Sequence, residues 1–202
     1  MSTPHLLRFA KGVLAATMCG LSVTSCADLA RTGSGPAYLI MNGLTAGGSP
    51  SLSSDVSPPA GALPVVDRGQ ATISAAMKNT QPTAPTPSAL NSITLTRYRV
   101  RFLRTDGQNR EGIDVPYAFD GGVTITIPVG AGPQLVTFDL VRPQAKLEPP
   151  LRNLVNSTGF VANSGGLIVL SVIAEVTFYG SDQAGNDVSV TGTIDVRFAD
   201  FQ

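Results

Sequence analysis

From residue 71 onwards, apolar and polar side chains repeatedly alternate with a period of two. Successive side chains of a β-strand point to opposite faces of a sheet, so this pattern is typical of strands with one buried and one exposed face. Clusters of Gly, Pro, Ser, Asn and Asp separate the alternating runs and predict turns. The predicted strands are 71–78, 93–103, 123–129, 135–141, 167–179 and 188–198.

Little of the remaining sequence has a helical pattern. The strongest candidate is the short segment 149–156, which begins with two prolines and carries apolar residues on one side of a helical turn. Several strands with so little helix predict an all-β fold in which two antiparallel sheets form a β-sandwich.

The last two predicted strands carry apolar residues at most of their even-numbered positions. We expect these side chains to enter one core and the two strands to pair as a hairpin with a long connecting loop. The connection, 179–186, reads Tyr-Gly-Ser-Asp-Gln-Ala-Gly-Asn. It resembles the late hairpin of bacterial immunoglobulin-like domains, where an aromatic strand leads into Asp-x-x-Gly-Asn. The resemblance covers only these two strands. It implies an immunoglobulin-like or fibronectin-III-like sandwich, a module that mostly spaces, assembles or binds, and it implies no catalytic residue.

Three arginines alternate with apolar residues in the predicted strand 93–103; they are Arg97, Arg99 and Arg101. One interpretation is a patch for an anionic partner, such as lipid phosphates or an acidic glycan, because guanidinium groups suit phosphate and carboxylate. The other, which we favour, is a solvated sheet face on which Glu175 and Asp195 pair with the arginines across strands.

The same strand contains a break in its alternation. Ile93 and Leu95 have the same parity as the arginines, although aliphatic side chains belong to the inward face. The inward face must therefore switch near Thr96, and a β-bulge is the ordinary way to make that switch.

Two groups of acidic residues are candidate sites. Asp182, Asn186 and Asp187 offer oxygen ligands for calcium. Their spacing lacks the alternation of an EF-hand loop, however, and the same residue types favour turns, so we predict a turn and no metal site. The second group could supply an acid and base for glycoside cleavage, although scattered loop acids are the simpler interpretation. It consists of Asp106, Glu111, Asp114 and Asp120.

The N-terminus has the pattern of a secretory signal. Arg8 and Lys11 precede the mostly apolar run 12–23, which is too short to span a bilayer. The run ends in Leu21-Ser22-Val23-Thr24-Ser25-Cys26. One interpretation is an ordinary secretory signal peptide in which Cys26 is an incidental thiol.

This ending resembles the lipobox of bacterial lipoproteins. The resemblance implies that Val23, Thr24 and Ser25 are recognised by the signal peptidase, that cleavage removes residues 1–25, and that Cys26 is acylated. Several acyl chains would hold the protein stably on a membrane. The residue after the cysteine is Ala27 rather than Asp, which within that family favours the outer membrane.

The remaining chain changes composition once. Residues 26–68 are rich in Gly, Ser, Pro and Ala and predict a flexible tether, because such a segment buries too little to offset its ordering entropy. Within it, 37–41 has the composition of a short strand and is either part of the tether or an added edge strand. We assign 69–202 to the β-sandwich domain.

Composition narrows the function classes. The one histidine, His5, lies in the predicted signal peptide, so the processed chain has no histidine to activate a serine or cysteine nucleophile. The 14 basic and 14 acidic residues give no basic excess for nucleic acid. We therefore expect a non-catalytic cell-envelope lipoprotein without a cofactor, whose sandwich is a structural module or binds another envelope protein or a surface polymer. The alternative is a carboxylate-dependent glycan-active enzyme of the envelope.

Overall fold

The computed structural model describes residues 35–57, 62–81, 86–155 and 168–201, and this part of the chain is mostly β. It contains one short α-helix, α1 (Pro143–Leu147), and two 3₁₀ turns at Ala89–Asn91 and Leu151–Leu154. The strands are β1 (Ala37–Ala46), β2 (Ser51–Asp55), β3 (Asp67–Met77), β4 (Ile93–Leu103), β5 (Phe119–Ile127), β6 (Gln134–Val141), β7 (Leu170–Asp182) and β8 (Asp187–Ala199).

The strands form two sheets. One has the order β1-β3-β6 and the other the order β2-β8-β7-β4-β5. All neighbours are antiparallel except β2 and β8, which run parallel. The all-β prediction is therefore confirmed, and each of the six predicted strands corresponds to an observed strand. The described residues contain no helix long and apolar enough to cross a membrane.

Side chains from both sheets meet in one core. Phe138 of β6 lies against Tyr98 of β4 and Phe178 of β7, with ring centroids 5.3 Å away in each case. The predicted inward faces of the last two strands are confirmed at their centres, because their even-numbered side chains are buried. These side chains are Val172, Ala174, Val176 and Phe178 on β7 and Ile194, Val196 and Phe198 on β8.

The predicted bulge in β4 is also confirmed. Pairing with both neighbouring strands shifts register between Leu95 and Arg97, and the buried side chains change parity at that point. β7 passes very close to β4 at this bulge. A Cβ at Gly180 of β7 would lie 2.2 Å from the carbonyl oxygen of Thr94, so no residue with a side chain fits at this position without moving the backbone.

The boundary predicted near residue 69 needs correction. β1 pairs with β3 and β2 pairs with β8, so 37–46 and 51–55 belong to the sheets rather than to a tether. The strand considered at 37–41 is real and extends to Ala46. Composition concealed β2, which is built largely from small and polar residues, and the second half of β1, where Asn42 and Gly43 interrupt the apolar run. The signal-peptide and lipidation predictions, including Val23, Thr24, Ser25 and Cys26, lie outside the described residues.

Two local predictions are wrong in detail. The α-helix lies at Pro143–Leu147, while the described part of 149–156 forms only a 3₁₀ turn whose Leu151 and Leu154 are buried. Proline at the first turn of a helix is favourable, and Pro143 takes that position. The connection between β7 and β8 is also short, because both strands extend into it and leave 183–186 as the loop.

Candidate functional site

The arginine row of β4 lies on the exposed face of the five-stranded sheet. Its main partner is Asp120 of β5, whose carboxylate lies 2.9 Å from Arg97 and 3.6 Å from Arg99. The predicted partners need correction. Glu175 is opposite Arg101 in the register of β7, but the described residues show no ion pair between them. Asp195 is on β8, which does not adjoin β4. Asp120 was missed because β5 begins earlier than its alternation indicated.

Further contacts fix one arginine more firmly than the others. The guanidinium of Arg97 lies over the ring of Tyr179, 4.1 Å from its centroid, in addition to its ion pair with Asp120. Such cation–π contacts at exposed sites contribute about 0.5–1 kcal/mol. The positive charge of the row is therefore partly neutralised. At Arg97 this favours a solvated sheet face over a patch for an anionic partner.

Asp182 closes the hairpin between β7 and β8. Its Oδ1 accepts hydrogen bonds from the backbone N–H groups of Ala184 and Asn186, both at 2.9 Å, and its Oδ2 accepts one from the Asn186 side chain at 2.8 Å. Asp187 begins β8 with an exposed side chain. The calcium candidates are thus arranged as a turn. In the part of the chain that the structure describes, no three His, Cys, Asp or Glu side chains cluster as metal ligands.

This turn predicts a pH dependence. The hydrogen bond from the Asn186 side chain, aided by backbone N–H groups, lowers the pKa of Asp182. Because the pKa of Asp182 is lowered in the folded state, its ionised carboxylate stabilises the fold at pH values above the ordinary aspartate pKa of about 3.9. This stabilisation is lost as the pH falls through the pKa of the folded state. We expect Asp182→Asn to reduce the free energy of unfolding at neutral pH and to differ less from wild type in acid. Urea titrations across this range test the prediction, and a difference independent of pH would contradict it.

The four acids considered for glycoside cleavage are not arranged as an acid–base pair. Asp106 is bound by Arg104 and Asp114 by Arg110, the latter at 2.7 Å. In each case the arginine hydrogen bond lowers the pKa of the aspartate. A general acid at neutral pH needs a raised pKa, so these aspartates are poorly suited to that role. Asp120 is held by arginines as described above, and Glu111 has an exposed side chain in the loop.

The structure contains a buried polar cluster that the sequence did not predict. Lys146 of α1 is only 3% exposed, and its Nζ lies 2.9 Å from Oδ2 of Asp67 at the start of β3. The buried Ser54 of β2 donates its hydroxyl to the same oxygen at 2.6 Å. The three residues come from separate segments, and two of them, Ser54 and Asp67, lie in the region 26–68 predicted as a tether. No sequence motif indicates that these three residues lie in contact.

A surface cavity of about 470 Å³ lies beside this cluster. A register shift in the pairing of β3 with β6 falls between Asp67 and Arg68, and both side chains line the cavity. Bulges commonly redirect side chains in this way. The other lining residues are Gly47, Leu52, Val66, Gln70 and Thr137. Because Oδ2 of Asp67 already accepts the Ser54 hydrogen bond and forms the ion pair with Lys146, we assign this carboxylate a structural role, tying α1 and β2 to β3.

Removing the charge of Lys146 is expected to destabilise the fold. Lys146→Met keeps most of the side-chain volume but leaves the Asp67 carboxylate without its cation. Breaking one side of a buried pair costs about 3–5 kcal/mol, and since Asp67 is 18% exposed we expect about 2–3 kcal/mol in the free energy of unfolding. The matched control is Arg68→Met, at an exposed ion pair 4.0 Å from Asp139, which should cost less than about 1 kcal/mol. Equal losses in urea titration would contradict the role of the cluster.

Comparison of the chain with protein-family models, with curated proteins and with solved structures finds no match.

Proposed function

We propose that the chain is a lipid-anchored protein of the bacterial cell envelope whose β domain is a non-catalytic, immunoglobulin-like interaction module. Its partner would be another envelope protein or a surface polymer. The order of the strands in the two sheets carries the immunoglobulin-like part of the proposal. The lipobox resemblance at 21–26 carries the lipid anchor.

Immunoglobulin domains place strands A, B and E in one sheet and C, F and G in the other, and variable-type domains add C′ beside C. If β1, β3 and β4 correspond to A, B and C, then β5 corresponds to C′ and β6, β7 and β8 to E, F and G. The sheets then read A-B-E and G-F-C-C′, which agrees with the observed order. β2 is an addition that pairs with β8.

The centre of the core supports the same assignment. Antibody domains have a buried tryptophan on strand C. Here Tyr98 of β4 takes that place, with its ring against Phe138 and Phe178 and its hydroxyl accepting a hydrogen bond from the backbone N–H of Asp139. A single aromatic residue thus links three strands from both sheets.

The carboxylates considered for glycoside cleavage give no support to a catalytic role. The lowered pKa values of Asp106 and Asp114 oppose a general-acid role at neutral pH. The cavity beside Asp67 includes none of the four acids considered for glycoside cleavage among its lining residues. No observation favours the glycan-active enzyme over the interaction module.

The anchor is tested by substituting Cys26. Cys26→Ala is expected to abolish incorporation of labelled fatty acid and to move the protein from membranes to the soluble fraction, because the acyl chains supply the membrane affinity. Cys19→Ala is the matched control, since Met18 before it does not fit the lipobox. Unchanged labelling and membrane partition in Cys26→Ala would overturn the lipoprotein assignment.

A further inference from the structure

β5 is an edge strand of the five-stranded sheet. It pairs with β4 on one side, and no other strand in the described ranges pairs with it on the other. Arg142 covers the start of that edge by donating a hydrogen bond to the backbone carbonyl of Asp120 and by lying 3.9 Å from the centroid of the Phe119 ring. The edge available to another strand is therefore 121–127.

This edge has few of the features that normally prevent strand pairing. Its sequence, Gly-Gly-Val-Thr-Ile-Thr-Ile, contains no charge and no proline, and its last five residues are β-branched. Natural proteins protect edges with charges, prolines, bulges or very short strands. β6 carries Asp139 and β2 has only five residues, whereas the segment 121–127 is uncharged. The pairing of β5 with β4 shifts register between Gly122 and Ile125, but the side chains of β5 keep alternating between the two faces across that point.

The same sequence is complementary to itself. In an antiparallel pair centred on Ile125, Thr124 of one copy would face Thr126 of the other, and Val123 would face Ile127. Threonines then meet on the exposed face and aliphatic residues on the inner face. Two threonine pairs already lie on this sheet, with Oγ–Oγ distances of 3.0 Å for Thr94–Thr126 and 2.9 Å for Thr177–Thr191. Cross-strand pairs of this kind stabilise sheets.

We propose that two copies of this chain pair through β5, antiparallel about a two-fold axis at Ile125, so that their five-stranded sheets become one continuous sheet. The contact is isologous, so it closes as a dimer rather than extending into a filament. No like charges face each other in this register, because Asp120 lies outside the paired segment. The proposal goes beyond the function proposed above and does not depend on the lipid anchor. If the anchor is present, confinement to a membrane raises the effective concentration of the second copy.

Sedimentation equilibrium of the full chain in density-matched detergent tests the pairing. The wild-type mass is expected to rise with concentration towards twice that of the monomer. Thr124→Lys with Thr126→Lys places lysines opposite lysines and should weaken association at least about tenfold. The matched control, Thr191→Lys with Thr193→Lys, adds the same charge to the same sheet face on β8, which is separated from β5 by β7 and β4, and should associate like wild type. Each pair of substitutions also removes one threonine–threonine hydrogen bond.

A charge swap tests the register. In Thr124→Lys with Thr126→Glu, each lysine faces a glutamate of the other copy, so association should return to at least the wild-type level. Thermal unfolding of every variant establishes that each one is folded. A monomeric wild type, undiminished association of the double-lysine variant, or a monomeric charge-swap variant would overturn the proposal.

Discussion

A chain that begins at residue 66 is expected to remain unfolded, whereas one that begins at residue 35 should fold cooperatively. The shorter chain lacks β1 and β2. Without β1, the smaller sheet is reduced to β3 and β6, and the part of the core that β1 covered is exposed to water. The buried side chains of Ala37, Leu39 and Val56 are lost from the core, and Asp67 loses its hydrogen bond from Ser54.

Circular dichroism and urea titration of the two chains measure this effect. The longer chain is the control, because it keeps β1 and β2. A cooperative transition in the shorter chain at the same urea concentration as in the longer one would contradict the prediction. That result would mean that β1 and β2 lie on a domain that is already complete.

Where each strand's own residues determine its structure, the sequence was sufficient to predict it. The bounds of β4 were predicted correctly, and so was its bulge, because Ile93 and Leu95 cannot share a face with arginines unless the strand changes face. β7 and β8 were predicted for a similar reason. Their long apolar alternation leaves one choice of inward face, and a shift of one residue would expose every buried side chain.

What the sequence could not predict depends on distant partners. β2 contains Ser-Leu-Ser-Ser-Asp, with one apolar residue, and becomes a strand because β8 offers it an edge. Lys146, Asp67 and Ser54 are far apart along the chain, so their contact follows only once β2, β3 and α1 are placed. The observed ion-pair partner of the arginines, Asp120, was not predicted because two glycines before Val123 interrupt the alternation. The start of β5, where Asp120 lies, therefore gave no strand pattern.

Truncation of Phe178 is expected to cost about 3–5 kcal/mol in the free energy of unfolding, a large part of the roughly 5–15 kcal/mol that stabilises a typical domain. Phe178 is completely buried, and its ring packs edge-on against Phe138 at 5.3 Å and lies 6.0 Å from Tyr98. Phe178→Ala therefore removes the ring that joins the two sheets and leaves a cavity between strands too firmly paired to close it.

The neighbouring residue is the matched control, because Thr177 lies on the opposite face of the same strand. Its hydroxyl makes one exposed hydrogen bond with Thr191 at 2.9 Å, so Thr177→Ala should cost less than about 1 kcal/mol. Urea titration of both variants compares the two faces of β7 directly. Equal losses, or a larger loss for Thr177→Ala, would mean that the aromatic cluster does not hold the sheets together. The proposed immunoglobulin-like arrangement would then lose the core contact that links its strands C, E and F.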